Sequence, residues 1–173
     1  MVAVARGAFS LVELIAVLVI VGVMAAVAAP ALTPTTSARS AMVAKTVARD
    51  VAYARERAIS TGTGCWVVVV TASNSYSILQ ENCASPGRAG ATVTTDPATP
   101  GRNFVQTLNT GERAGVTITS VNLDGTAEVG FDWRGKPYNA SSVALSSQGV
   151  IGLSGGWSVR VEAGSGFVTA TTP

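Results

Sequence analysis

The feature that most constrains this chain is the unbroken apolar run from Leu14 to Ala29, preceded by Phe9-Ser10-Leu11-Val12-Glu13. From Phe9 to Ala29 the stretch has about the twenty-residue length that a helix needs to cross the hydrocarbon core of a bilayer. One ionisable residue interrupts it, Glu13, a single turn from its start. A carboxylate is costly in hydrocarbon, so its presence there implies a partner or a function. Ahead of this segment residues 1–8, MVAVARGA, form a short leader whose only charge is Arg6.

Three readings of such an N-terminus compete. A permanent membrane anchor would need nothing more. An ordinary secretory signal would use Ala26-Val27-Ala28 as an A-x-A site, cut before Ala29, and would release a secreted β-rich binding domain. Neither accounts for a carboxylate at the mouth of the apolar core.

The third does. Gly7-Ala8-Phe9-Ser10-Leu11-Val12-Glu13-Leu14 resembles the processing site of type IV pilins and type II secretion pseudopilins. In that family a prepilin peptidase cuts before a Phe, which is then N-methylated; a Glu is the fifth mature residue and a Pro often stands near the twenty-second. Counted from Phe9, Glu13 and Pro30 occupy those places. The family usually has Gly before the cut, where this chain has Ala8 with Gly7 behind it. A cut after Gly7 would make Glu13 the sixth residue.

The resemblance implies cleavage between Ala8 and Phe9, methylation of Phe9, and pairing of Glu13 with the N-terminal amine of a neighbouring subunit. In low dielectric such pairing selects register and partner. The apolar stripe would then bundle with the same helices of other subunits, its alanines and Gly22 allowing close approach.

Beyond the apolar run, Pro30 and Pro34 predict a kink or unwound stretch. A second helix is expected from Ser37, as N-cap, to about Ser60. Val43, Val47, Val51, Ala54 and Ala58 recur at helical spacing, and Arg39, Lys45, Arg49, Asp50, Arg55, Glu56 and Arg57 populate a solvated surface. Gly62 and Gly64 stop it. The rest of the chain is rich in Gly, Thr, Ser and Val, which favours strands and turns. Cys65 to Val70 reads as a buried strand, Ala72 to Ser75 as a turn and Tyr76 to Gln80 as the return strand. A hairpin centred on Asn74 sets Cys65 opposite Cys83, and an even cysteine count in an exported chain favours a disulfide between them.

The segment from Ala84 to Arg113 carries the breakers Pro86-Gly87, Asp96-Pro97 and Pro100-Gly101 and reads as a loop. Strands are expected again at Val116–Val121, Ala127–Trp133, Val150–Leu153, Trp157–Glu162 and Phe167–Thr169, forming an antiparallel sheet. The domain plan is therefore a leader at 1–8, a membrane and assembly helix at 9–29, a kink and amphipathic helix at 30–62, and a β-rich head at 63–173.

Three later features are similar to the GspH/FimT branch of minor pseudopilins and minor pilins. They are the helix end Ala54-Arg55-Glu56-Arg57-Ala58-Ile59, the turn Phe131-Asp132-Trp133-Arg134-Gly135-Lys136-Pro137, and the final Ser158-Val159-Arg160-Val161 strand with its Gly-containing hairpin. The resemblance implies an α+β fold, the type IV pilin fold, in which a long N-terminal helix, kinked near Pro30–Pro34, packs on an antiparallel sheet. It implies other pilin or pseudopilin subunits, the prepilin peptidase and the inner membrane as partners. The subunit would be a single-pass inner-membrane protein with its head in the periplasm, later moving into a pilus or pseudopilus.

Some members of the branch bind DNA through a basic cluster near the C-terminus. Here that tail reads Ala163-Gly164-Ser165-Gly166-Phe167 with only Arg160 nearby, too little to neutralise several phosphates. Arg88, Arg102 and Arg113 are scattered in the long loop, and a net charge of +2 adds no general case for nucleic acid. With no histidine, the commonest metal ligand and general base is missing. No nucleophile–base set, phosphate-cradling loop, metal cluster or cofactor motif is evident, and Asp124, Glu128 and Asp132 read as surface acids. A structural subunit, not an enzyme, is the expectation, with a binding module at a pilus tip, contacting DNA, a surface or a secreted substrate through the loop region, as the alternative.

Overall fold

The structure, a computed structural model, describes residues 10–28 and 36–172. The expected processing residues Ala8 and Phe9, and the kink residues Pro30 and Pro34, lie outside that set. Two compact units divide at Thr35/Thr36.

In the first unit, helix α1 spans Leu11–Ala28. The Ser10 carbonyl accepts the amides of Glu13 (3.0 Å) and Leu14 (3.1 Å), which starts the helical ladder. Glu13 sits in the first turn, where a negative charge complements the helix dipole. Apolar side chains stand on every face of α1, and every side chain from Ser10 to Ala25 is exposed. Among the described residues no helix is long and apolar enough to cross a membrane; the eighteen residues of α1 rise about 27 Å against a hydrocarbon core of about 30 Å.

In the second unit, α2 (Thr36–Thr61) lies over two antiparallel sheets. Ten strands follow it: β1 Cys65–Val70, β2 Ser75–Gln80, β3 Thr92–Val93, β4 Val105–Thr107, β5 Ile118–Asn122, β6 Glu128–Phe131, β7 Pro137–Asn139, β8 Gly149–Leu153, β9 Ser158–Val161 and β10 Val168–Thr171. One sheet runs β3-β2-β1-β6-β7, with β4 also on β2; the other runs β10-β9-β8-β5. Two sheets therefore replace the single expected one. The break falls where the chain leaves β5, through a turn at Leu123–Thr126, to pair β6 with β1.

The helix buries Ser40, Val43, Ala44, Val47, Ala48, Val51, Ala54 and Ala58 along one stripe. Its alanines let the backbone come close to β1 and β6 of one sheet and β9 and β10 of the other. Strand alternation supplies the opposing layer: Cys65, Val67 and Val69 of β1 join Tyr76, Ile78, Val129, Phe131, Val159 and Val161 in the same core. Trp66, on the opposite face of β1, pairs in register with Leu79, and both are buried.

The stretch read as a loop from Ala84 to Arg113 is corrected. It contributes β3 and β4, both paired with β2, and it drives Phe104 and Leu108 into the core. Strands this short carry no periodicity of their own; only their pairing defines them. The three residues of β7 likewise carry no pattern apart from their pairing with β6.

Candidate assembly helix and the surface of the head

The described part of α1 has one chemical singularity, Glu13, on a helix otherwise lined by Leu, Ile, Val, Ala, Met and Gly. A helix apolar on all sides has no solvated face, so its ordinary environment is lipid or a bundle of like helices. A carboxylate on it is a point where position along the axis is specified.

On the head, several polar residues of α2 are tied to the strands and turns beneath the helix, while Lys45, Arg49 and Glu56 stand exposed. Asp50, read as a surface acid, is buried: it accepts the Tyr76 hydroxyl at 2.7 Å, because β2 places that phenol beneath the helix. Burial first, and then the adjacent Asp50 carboxylate, push the Tyr76 hydroxyl well above the usual phenol range. Arg39 donates to the Ala114 carbonyl (2.8 Å), and Arg57 donates to Gln80 Oε1 (2.8 Å) and the Tyr53 hydroxyl (3.0 Å).

Arg55 joins segments far apart in sequence. Its Nε donates to the carbonyls of Gly135 (3.2 Å) and Ser165 (3.1 Å). Gly135 has φ +79° and closes a turn in which Asp132 Oδ1 accepts the amides of Arg134 (2.9 Å) and Lys136 (2.8 Å). Gly166 has φ +67°, and a Cβ on it would lie 2.2 Å from the Gly135 carbonyl oxygen. The helix end, the Phe131–Pro137 turn and the C-terminal hairpin, noted separately in sequence, thus meet at one guanidinium.

The acidic residues singled out are also engaged. Asp124 accepts the Ser146 hydroxyl at 2.7 Å, Glu128 pairs with Arg88, and Asp132 builds its own turn. Among the described residues no group of three or more His, Cys, Asp or Glu side chains is placed to hold a metal. Of the loop arginines, Arg88 is taken by Glu128 and Arg113 donates to Gln106 Oε1 (2.8 Å), so the structure ties these two to different neighbours.

The register expected for the cysteines is corrected. The β1–β2 hairpin turns through Thr71–Asn74, with Asn74 left-handed at φ +47°, and Val70 faces Ser75. Cys65 consequently pairs with Gln80, and Cys83 lies beyond the end of β2. Both are free thiols in the structure. Cys65 points into the core, whereas exposed Cys83 lines a groove of about 350 Å³ on the Trp66 side of the sheet.

Burial raises the Cys65 thiol to about 12, against a smaller lowering by the Arg57 charge. The unfolded thiol ionises near 9. Stability supplied by keeping Cys65 protonated is therefore complete below that value and is lost as pH rises toward 12. A thiol reagent at neutral pH should label Cys83 in the folded chain and reach Cys65 only after denaturation. A chain that takes up no reagent until it is reduced would carry the bridge instead.

No family model and no curated protein matches this chain. Solved structures do. Two structures of the minor pseudopilin EpsH from the type II secretion system of Vibrio cholerae align with TM-scores of 0.57 and 0.54, each at 13% identity. The alignments cover 80% and 78% of this chain and 97% and 98% of those chains. At that identity the likeness speaks for architecture: this chain has the α+β pilin fold of a minor pseudopilin.

Proposed function

We propose that the chain is a minor pilin or pseudopilin subunit of the GspH/FimT type. It assembles into, or primes, a type IV pilus or a type II secretion pseudopilus. Prepilin peptidase cuts it between Ala8 and Phe9, and Phe9 is N-methylated. The segment from Phe9 to Ala29 first holds the subunit in the inner membrane with its head in the periplasm. Glu13 then pairs with the terminal amine of a neighbouring subunit as the helix enters the filament, and Pro30 marks where the helix loosens.

The observation that carries this reading is α1 itself, apolar on every face with a single carboxylate in its first turn. A helix whose task was only anchoring would gain nothing from Glu13, which lipid penalises. A surface helix of a soluble domain would show one polar face, and a core helix would be buried, whereas the side chains of α1 from Ser10 to Ala25 are exposed. The pilin fold of the head supports the same assignment. A non-catalytic role fits the same reading, since Asp132 and Glu128 are committed to a turn and to an ion pair.

The test is the mass of the mature N-terminus, taken from protein recovered in its native host. Methylated Phe9 as first residue is the expected result. A chain starting at Ala29 would remove Glu13 and the assembly helix, and would leave a secreted binding domain in place of a subunit.

A further inference from the structure

The groove beside Cys83 has the make-up of a small-molecule site. Its volume of about 350 Å³ falls within the range of about 300–1,000 Å³ that such sites span. Trp66, Phe131, Trp133 and Tyr138 all line it. Gly130 stands in register between Trp66 of β1 and Tyr138 of β7. A Cβ there would lie 2.6 Å from the Trp66 ring, so glycine lets the buried indole lie over β6 as a floor. Trp133, by contrast, is 56% exposed.

The polar groups of the groove are fixed and only half used. Glu81 Oε1 accepts the Trp66 indole N–H at 3.0 Å, which leaves Oε2 for another donor. Asp132 Oδ1 accepts the amides of Arg134 and Lys136, while the Tyr138 hydroxyl reaches Oδ2 only at 3.5 Å. Asn82 Oδ1 accepts the Ala84 amide at 3.0 Å, and its NH₂ remains as a donor. Two anchored carboxylates and an amide are therefore presented beside aromatic rings.

The charges around them balance. Glu81 and Asp132 line the groove, and two cations rest on its rings from the rim. The Arg134 guanidinium lies 4.3 Å from the centre of the Trp133 ring, and Lys136 Nζ lies 5.9 Å from that of Tyr138. Nearby Arg88 and Glu128 neutralise each other. The occupant that matches is uncharged, rich in hydrogen-bond donors and flat enough to meet a ring.

We propose that this groove binds one unit of a neutral saccharide. Its hydroxyls donate to Glu81 and Asp132, and such charge-assisted bonds are stronger than neutral ones. Its C–H face lies on Trp133, whose electron-rich face attracts polarised C–H bonds. A phosphate-bearing ligand is disfavoured, because the lining offers it two carboxylates and no cation. A basic peptide gains no net attraction from a balanced site. The proposal is independent of the subunit function argued above and stands or falls separately from the mature N-terminus.

The test titrates the full chain in detergent with trimers of glucose, mannose, galactose and N-acetylglucosamine, and with tri-lysine. Cys83 lines the groove and is exposed, so an occupant should slow its alkylation by iodoacetamide. The expected result is saturable protection by at least one sugar, with alkylation of added glutathione unchanged. Saturation-transfer NMR from aromatic protons to the same sugar reads the contact without the thiol. Trp133→Ala should weaken binding about tenfold. Glu81→Gln keeps an acceptor for the Trp66 indole and should weaken it severalfold. Protection by tri-lysine with none by sugar would make this a cation site and overturn the proposal. So would sugar binding indifferent to Trp133→Ala, or no protection and no transfer from any of the sugars at millimolar concentration.

Discussion

Exchange of Glu13 for valine is expected to leave the amount of membrane-held subunit unchanged and to abolish its recovery with filaments. In the first turn of α1 this is the one residue that hydrocarbon penalises, so valine should improve insertion if it changes it at all. Assembly is different. If Glu13 meets the terminal amine of a neighbour in a dry bundle, removing it strands that amine without a counter-charge. Breaking one partner of a buried pair costs about 3–5 kcal/mol, which is a hundredfold or more in the fraction assembled. Glu13→Gln separates charge from shape: it keeps the hydrogen-bonding outline and should fail nearly as badly as valine. Filament recovery at the normal level with Gln would show that the carboxylate charge is not what selects the partner. The readout is the ratio of sheared filament to membrane fraction for each variant.

The second large effect is expected in the head. Gly166→Ala places a Cβ 2.2 Å from the Gly135 carbonyl oxygen, backbone that has no room to yield, at a φ of +67° that L-residues rarely adopt. Both penalties act together, so unfolding of the full chain in detergent should lose about 3 kcal/mol or more of stability. Gly164→Ala is the control. It lies two residues away in the same hairpin, and a Cβ there meets nothing within 4 Å. Its effect should stay within about 0.5 kcal/mol. Equal losses from the two would mean that hairpin entropy, not the packing of Gly166 on the Phe131–Pro137 turn, governs this corner. Since Arg55 bonds both sides of the contact, Arg55→Ala should move in the same direction by about 1–3 kcal/mol.

Much of this architecture was legible in the order of residues. The apolar run with Glu13 predicted α1, because hydropathy over a long window is a local property. The stripe Val43, Val47, Val51, Ala54 and Ala58 predicted the face of α2 that is buried, because a helix imposes its own period. The first hairpin and, beyond Val116, strands β5, β6, β8, β9 and β10 follow from apolar and β-branched runs set between Gly, Asn and Ser.

What only the tertiary structure decided concerns partners distant in sequence. β3 and β4 exist because β2 offers both of them an edge, and their few residues carry no periodicity. Asp50 looked like one more charge on a solvated face; a phenol twenty-six residues away turned it into a buried acceptor. Cys65 and Cys83 took their faces and register from the turn through Asn74, not from the even count of cysteines. The three family-like features of the head met at Arg55 only once the helix lay across both sheets. Local periodicity chose the elements, whereas long-range pairing and burial chose which side chains they brought together.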